Sequence, residues 1–150
     1  MSFPPLNIRP FAPQDEQAVI GLWRDCGLTR PWNDPHKDVQ RKLTVQPEWF
    51  LEGQAQERVV ATVMAGYDGH RGWVNYLAVD PLFQKRGYGR ALMEAVQARL
   101  LAAGCPKINL LVRSDNAAVQ HFYHALGFTP DDVISLGKRL IPDAGDQALR

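Results

Sequence analysis

A glycine-rich turn between a strand pattern and a helix pattern is the part of the sequence best suited to chemistry. An apolar run ends at Asp80-Pro81, and a short polar loop leads to Gly87 and Gly89. A helical pattern rich in Ala and Leu follows directly. The first amides of such a helix have no internal partner, and the helix dipole attracts anions to them. The turn therefore favours binding of a phosphate or pyrophosphate group.

The residue types around the turn agree with anion binding. Glycine permits a tight turn and the close approach of a ligand. Three basic residues, Lys85, Arg86 and Arg90, add positive charge. A lone G-x-G is more often a turn that ends a strand beside solvated basic side chains. Because this one lies between a strand and a helix, an anion site is the favoured interpretation over a simple strand-ending turn.

Periodic patterns along the chain predict the elements that would position this turn. Apolar spacing predicts four helices, which begin near Pro13, near a cap at Asp34, after Gly89 and at Asn116. Their predicted core residues are Val19, Leu22, Trp23 and Cys26 in the first, Leu92, Val96 and Leu100 in the third, and Ala118, Phe122, Ala125 and Leu126 in the fourth.

Strand patterns separate these helices. They cover residues 6–10, 49–54, 58–67, 73–79, 107–112 and 133–140. We expect one α+β domain over residues 1–141, with a mixed, mostly antiparallel sheet of about seven strands and about four helices on its faces. Residues 142–150 are predicted to form a polar tail.

Composition excludes several classes of function. The chain has 150 residues, of which 45% are apolar and 22% charged, so it can bury one core. Its net charge of +1 provides no overall field for nucleic acid or a membrane. It has no transmembrane run and no signal-peptide pattern. Cys26 and Cys105 lack a C-x-x-C partner, which predicts reduced thiols, a cytoplasmic location and no metal site.

Two motifs in fixed order resemble the GNAT superfamily of acyl-CoA-dependent N-acetyltransferases. The first is Q-K-R-G-Y-G-R-A at residues 84–91, after an L-x-V-x-P lead-in. The second is the spacing of Asn116, Tyr123 and Gly127-Phe128. The upstream helix pair and strands follow the family's order, so the resemblance covers nearly the whole chain. The segments R-P-W-N-D-P, G-Y-D-G-H-R-G and S-L-G-K-R-L further resemble its YpeA-type subgroup.

The resemblance implies transfer of an acetyl group from acetyl-CoA to a primary amine by direct attack on the thioester. It implies that the amides of residues 86–91 hold the pyrophosphate, that residues 77–79 pair with pantetheine and polarise the thioester carbonyl, and that Tyr123 protonates the leaving thiolate. Asn116 would bond pantetheine or a water. The implied acetyl-CoA residues are Leu77, Ala78, Val79, Gln84, Lys85, Arg86, Gly87, Tyr88, Gly89, Arg90, Ala91, Asn116 and Tyr123.

The general base is the gap in this pattern. A lysine-like amine, with a pKa of about 10.4, is almost fully charged at neutral pH, so a base is useful. Many GNAT members carry a glutamate on the strand before the turn, whereas G-W-V-N-Y-L-A-V contains no acid. The candidates are Asp68, His70, Asp34 and water connected to solvent. Equally, Asp68 can simply shape a D-G turn and Asp34 can simply cap a helix.

The acceptor stays open between a small molecule, a protein N-terminus and a lysine. The candidate lining residues are Trp32, Asn33, Asp34, Tyr67, Asp68 and His70. Two rival functions compete with catalysis. A non-catalytic acyl-CoA-binding or regulatory module fits the missing carboxylate, and a nucleotide binder is weakened because the turn lacks the Lys-Ser/Thr of a P-loop. The oligomeric state is open between a monomer and a homodimer.

Overall fold

The computed structural model describes residues 3–143 of the chain. Five strands are present there: β1 (Asn7–Pro10), β2 (Phe50–Ala55), β3 (Arg58–Tyr67), β4 (Gly72–Val79) and β5 (Ile108–Leu110). The α-helices of the same part are α1 (Glu16–Asp25), α2 (Pro35–Lys42), α3 (Tyr88–Ala102) and α4 (Ala117–Ala125). None of the helices between residues 3 and 143 has the length and apolar character needed to cross a membrane.

The sheet follows the order β1-β2-β3-β4-β5 and is antiparallel from β1 to β4. β5 runs parallel to β4, because α3 carries the chain back along the sheet between them. The α+β class and the four helices are confirmed. The prediction of about seven strands is wrong, since the sheet of the described residues has five.

The strand predicted at residues 133–140 is absent from the sheet. Residues 131–143 instead form a C-terminal strap that side chains hold at its ends. At one end, Asp131 accepts hydrogen bonds from Lys107 Nζ (3.0 Å) and Asn109 Nδ2 (2.9 Å) beside β5. Near the other end, Arg139 reaches the loop between α1 and α2. These distant contacts hold the strap along a path on which its backbone does not pair with β5.

Apolar layers cover both faces of the sheet. Val19 and Trp23 of α1 pack with Phe50 of β2 on one face. On the other face, α3 buries Leu92 and Val96, as its predicted stripe requires. Adjacent residues of one strand point to opposite faces, so the short β2 serves both layers. The two layers fix α1 and α2 on one side of β4 and α3 on the other.

Helix α4 turns a different face inward from the predicted one. Ala118 and Ala125 are exposed, whereas Tyr123 is buried and Phe122 is half-buried. The reason is a close approach between two helices. Phe122 packs where α3 begins, against the backbone of Gly89. This contact brings Tyr123 into the apolar layer under α3.

Strand β4 separates from β5 after its first three residues. Tyr76 has a φ of 52°, in the left-handed region, and the register between β3 and β4 shifts between Thr62 and Met64. These features define a bulge, which bends a strand and increases its twist. Residues 75–79 of β4 consequently have no strand partner on the β5 side within the described structure. We call this part of β4 the open edge.

Candidate functional site

The glycine-rich turn leads directly into the start of α3. Gly87 caps the helix with a φ of 84°, a conformation that glycine adopts without strain. The first helical hydrogen bond runs from the Ala91 N–H to the Gly87 carbonyl oxygen, at 3.0 Å. The N–H groups of residues 88–90 precede that bond and are available to a ligand. Of the amides predicted to hold pyrophosphate, that of Ala91 is already used by the helix.

Gly89 is required for a different reason from Gly87. A Cβ atom at Gly89 would lie 3.1 Å from Phe122 Cζ and 3.6 Å from Val79 Cγ2. The absence of a side chain therefore lets α4 and β4 approach the first turn of α3. Nothing lies within 4 Å of the corresponding position at Gly87. The two roles predicted for glycine, a tight turn and a close approach, therefore belong to different residues. Gly87 makes the turn, and Gly89 permits the packing around it.

Positive charge beside the turn is held by aromatic contacts. The Arg86 guanidinium carbon lies 4.7 Å from the Phe83 ring centroid and 4.8 Å from that of Phe3. Such cation–π contacts orient the side chain while leaving its charge in place. Arg90 lies 3.7 Å from Glu94 on the next turn of α3, so part of its charge is balanced.

The backbone of the open edge is accessible at particular residues. Asp80 donates its N–H to the Val60 carbonyl oxygen of β3 at 2.8 Å. Because successive residues of a strand direct their backbone groups to opposite sides, those of Val79 face the open edge and those of Ala78 face β3. Leu77 lies in the bulge. The expected pairing of Ala78 with pantetheine therefore conflicts with the direction of its backbone groups.

The Val79 carbonyl oxygen already has two donors from its own chain. Gln84 Nε2 lies at 3.0 Å and Cys26 Sγ at 3.2 Å. Burial raises the pKa of the Cys26 thiol, so it remains a neutral donor near pH 7. A ligand amide that bonded Val79 would share or replace these donors.

A chain of buried hydrogen bonds supports the bulge. Trp23 Nε1 donates to Thr62 Oγ1 at 2.9 Å, and Thr62 Oγ1 donates to the Tyr76 carbonyl oxygen at 3.0 Å. The Tyr76 ring stacks on Trp23 at 3.8 Å between centroids, and its hydroxyl donates to Asp38 Oδ2 at 2.7 Å. No sequence pattern predicted this network, which joins α1 and α2 to the open edge.

Tyr123 presents a buried ring and a hydroxyl with no hydrogen-bond partner among residues 3–143. Its ring meets Phe122 and Phe128 edge-on, at 5.1 and 5.6 Å between centroids. Burial raises the pKa of Tyr123 to about 12. The hydroxyl consequently stays protonated at neutral pH, which suits a proton donor. Asn116 caps α4 by accepting from the Val119 N–H at 3.2 Å, which leaves its amide N–H groups for another partner.

Similarity to known proteins identifies the family. The sequence profile of the Acetyltransferase (GNAT) family matches residues 16–128. An acetyltransferase of Yersinia enterocolitica is 49% identical over 138 residues, which are 92% of this chain and 98% of that protein. The chain belongs to the GNAT acetyltransferase family.

Solved structures share the GNAT fold. Ard1 from Thermoplasma volcanium is 28% identical, with a TM-score of 0.72 over 83% of this chain and 82% of that one. AAC(6')-Iy was solved with the bisubstrate analogue CoA-S-monomethyl-acetylneamine. It has a TM-score of 0.73 at 21% identity, over 91% of this chain and 99% of that one. At that identity the likeness shows the fold alone.

The acids predicted as bases for this GNAT protein are engaged in local structure. Asp34 caps α2 by accepting from the His36 N–H at 2.9 Å. Asp68 accepts from the Arg71 N–H (2.7 Å) and the His70 N–H (2.8 Å). These hydrogen bonds lower the pKa of Asp68, so it is a poor proton acceptor near neutral pH. The geometry therefore disfavours both as bases.

The candidate acceptor residues fall into two separate places. Tyr67, Asp68 and His70 form the hairpin between β3 and β4. Eight residues of β4 place that hairpin roughly 23 Å from the glycine-rich end of the strand. Trp32 and Asn33 instead line a cleft of about 590 Å³ between the α1–α2 loop and the C-terminal strap. The structure therefore does not bring all the candidates together.

A buried carboxylate of the strap binds Arg41, one of the residues that line this cleft. Asp143 accepts from Arg41 Nη2 at 2.6 Å and from the Asp34 N–H at 2.8 Å. The hydrogen bond from Arg41 lowers the pKa of Asp143 to about 2. Hydrogen bonds therefore hold Asp143, which belongs to the predicted polar tail at residues 142–150, and residues 144–150 lie outside the described residues. Between residues 3 and 143, no cluster of His, Cys, Asp and Glu could hold a metal ion.

Proposed function

We propose that this GNAT protein transfers the acetyl group of acetyl-CoA to the nitrogen of a primary amine on a small molecule or a protein. The observation that carries the proposal is the open edge of β4, which leads directly into the anion-binding start of α3. The pantetheine arm would bond Val79 as an added strand does, and the pyrophosphate would bind the amides of residues 87–90. The CoA-containing analogue bound to AAC(6')-Iy, which has the same fold, supports this assignment.

The reaction would proceed by direct attack. The neutral amine nitrogen attacks the thioester carbonyl carbon, so a C–N bond forms and the C–S bond then breaks. The attacking nitrogen loses one proton to water, the CoA sulfur gains one, and the group that protonates the sulfur regains its proton from water. Tyr123 would supply the sulfur's proton, because its hydroxyl remains protonated at neutral pH. A backbone N–H in the bulge, next to Leu77, would stabilise the tetrahedral oxyanion.

The acceptor ammonium must first lose its own proton. The eight residues of β4 include no acidic side chain, and Asp34 and Asp68 are held in local hydrogen bonds. We therefore assign this first proton to water connected to solvent. Replacing either acid by asparagine should leave the dependence of turnover on pH unchanged, and a changed profile would identify that acid as the base.

Ligand-dependent melting tests the binding part of the proposal. Acetyl-CoA and CoA should each raise the melting temperature, and ATP should not, because the open edge needs a pantetheine arm. Thiol release measured over a panel of amines then tests catalysis. Stabilisation by ATP alone would favour a nucleotide binder. Stabilisation by CoA without thiol release for any amine would favour the non-catalytic module.

Tyr123→Phe tests the proton donor. We expect kcat to fall by about 10²-fold, the contribution typical of a general acid. The dissociation constant for acetyl-CoA should change little, since the ring and its contacts remain. Steady-state thiol release and a binding titration measure the two quantities, and the melting temperature controls for folding. Equal turnover of variant and wild type would remove Tyr123 from the mechanism.

A further inference from the structure

The cleft between the α1–α2 loop and the C-terminal strap has a one-sided charge. Its lining includes Arg41, Lys138 and Arg139 and no carboxylate. The half-exposed Trp32 ring contributes apolar surface beside them. A second cleft, between α1 and the turn joining β2 to β3, has the opposite character; its charged residues are Asp15, Asp25, Glu57, Arg58 and Asp80. Because the chain carries a net charge of only +1, the positive lining is a local feature.

Asp143 balances only part of this charge. Its buried carboxylate lies 2.6 Å from Arg41 Nη2 and 3.8 Å from Arg139 Nη2, and Asp38 lies 3.4 Å from Arg41 Nη1, so two carboxylates balance the two guanidinium groups and leave Lys138. Arg139 also donates to the side-chain oxygen of Asn33. Lys138 is exposed, and no carboxylate of residues 3–143 lies within ion-pair distance of it. The cleft wall therefore keeps an excess of positive charge.

The cleft lies on the α2 side of the open edge. Arg41 follows Asp38 by three residues, so both lie on one side of α2, and their side chains are 3.4 Å apart. Asp38 accepts a hydrogen bond from the Tyr76 hydroxyl at the bulge. One turn of helix thus joins the cleft wall to the place where β4 leaves β5, opposite the face covered by α3. A molecule in the cleft would therefore lie on the α2 side of the open edge.

We propose that the acetyl acceptor is an α-amine with a carboxylate side chain close to it, and that Lys138 and its arginine neighbours bind this side-chain carboxylate. The inference rests on the proposed function. A free acidic amino acid and a peptide N-terminus followed by an acidic residue share this chemistry.

An α-amine acceptor also reduces the need for a general base. At a peptide N-terminus its pKa is about 7.7–8.0, so roughly a tenth is neutral at pH 7, compared with less than about a thousandth of a lysine amine. The positive wall disfavours a second cation in the cleft and so lowers the pKa of a bound ammonium further. The ammonium proton leaves to water, and the neutral nitrogen then attacks the thioester. No protein carboxylate is needed for this acceptor.

Matched acceptors test the proposal by thiol release with acetyl-CoA. The dipeptide amides alanyl-glutamate and alanyl-glutamine have the same α-amine and differ in one charge; free glutamate and glutamine form a second pair. In the pair that the enzyme accepts, the glutamate member should have a kcat/KM about fivefold to tenfold higher than the glutamine member. A lysine derivative blocked at its α-amine should react poorly. The reactive pair distinguishes an amino acid from a peptide N-terminus.

Lys138→Glu should abolish the preference for the glutamate member and leave the KM for acetyl-CoA unchanged. Arg99→Glu makes the same charge change near the end of α3, on the other face of the sheet, and should keep the preference. Equal rates for both members of each pair, a preference that survives Lys138→Glu, or faster acetylation of cationic amines would overturn the proposal. If acetyl-CoA raises the melting temperature but no glutamate acceptor reacts, the acceptor class is wrong. If acetyl-CoA does not bind either, the proposed function fails.

Discussion

Replacing Thr62 by valine tests whether the buried hydrogen-bond chain shapes the open edge. Valine has nearly the same shape as threonine but no hydroxyl. Thr62 is completely buried, and its hydroxyl is both the acceptor for Trp23 Nε1 and the donor to the Tyr76 carbonyl oxygen. The substitution therefore leaves a donor and an acceptor without their partners while the packing volume is kept.

The expected cost follows from those two groups. A buried polar group that loses its partner costs about 1–3 kcal/mol, so the loss in the free energy of unfolding should be about 2–4 kcal/mol. The Tyr76 carbonyl should cost about 1 kcal/mol, at the lower end of the range for one group, because its hydrogen bond is only partly buried. For a domain of this size, that loss corresponds to a fall in Tm of roughly 6–12 °C. Tyr76 should also leave its left-handed conformation more easily, which would raise the KM for acetyl-CoA.

Urea unfolding and thiol-release kinetics measure the two effects. Thr62→Ser restores the hydroxyl and should recover the KM for acetyl-CoA and most of the stability. Thr44→Val makes the same chemical change at an exposed residue whose hydroxyl bonds only the Arg41 carbonyl, and it should change stability by less than about 0.5 kcal/mol. A loss below about 1 kcal/mol for Thr62→Val, or equal behaviour of the serine and valine variants, would refute the reasoning.

Two further substitutions test features on either side of the site. Burial raises the pKa of Glu52 to about 7, above its value in the unfolded chain. The folded protein therefore binds this proton more tightly than the unfolded chain does. The resulting stabilisation is complete below about pH 4.5 and is lost as the pH rises through 7. Glu52→Gln should remove up to about 3 kcal/mol of this pH dependence in urea unfolding, and parallel stability curves for the two proteins would contradict it. Gly89→Ala should push Phe122 away by a few tenths of an ångström, cost up to about 2 kcal/mol and raise the KM for acetyl-CoA, measured by thiol release. An unchanged KM would show that α4 tolerates the extra methyl.

Local periodicity predicted those parts of the fold that local contacts decide. The stripe of Leu92, Val96 and Leu100 follows from the helical repeat, and all three residues are buried. The segment at residues 133–140 has the composition of a strand but does not pair. Its path depends on side-chain contacts at Asp131 and Arg139 with distant parts of the chain, and no local pattern reports such contacts.

The candidate site was predictable where one segment supplies it. The turn at Gly87 and the start of α3 lie within a few residues of each other, so their sequence was sufficient. The network behind the open edge joins residues that are 39 positions apart, Trp23 and Thr62, and 14 apart, Thr62 and Tyr76. A single threonine in an apolar run gives little sign of two distant partners, and only the fold brings them together.

The conformation of Tyr76 shows which part of the molecule sets the open edge. A left-handed conformation at a residue other than glycine costs about 1–3 kcal/mol, so neighbouring contacts must stabilise it. β5 cannot do so, because its pairing with β4 ends at Val74. The stabilising contacts come from Trp23 in α1, Asp38 in α2 and Thr62 in β3. The helices beside the cleft that Trp32 and Arg41 line therefore fix the strand conformation along which we place pantetheine. A change in α1 or α2 should alter the KM for acetyl-CoA without any change to the glycine-rich turn.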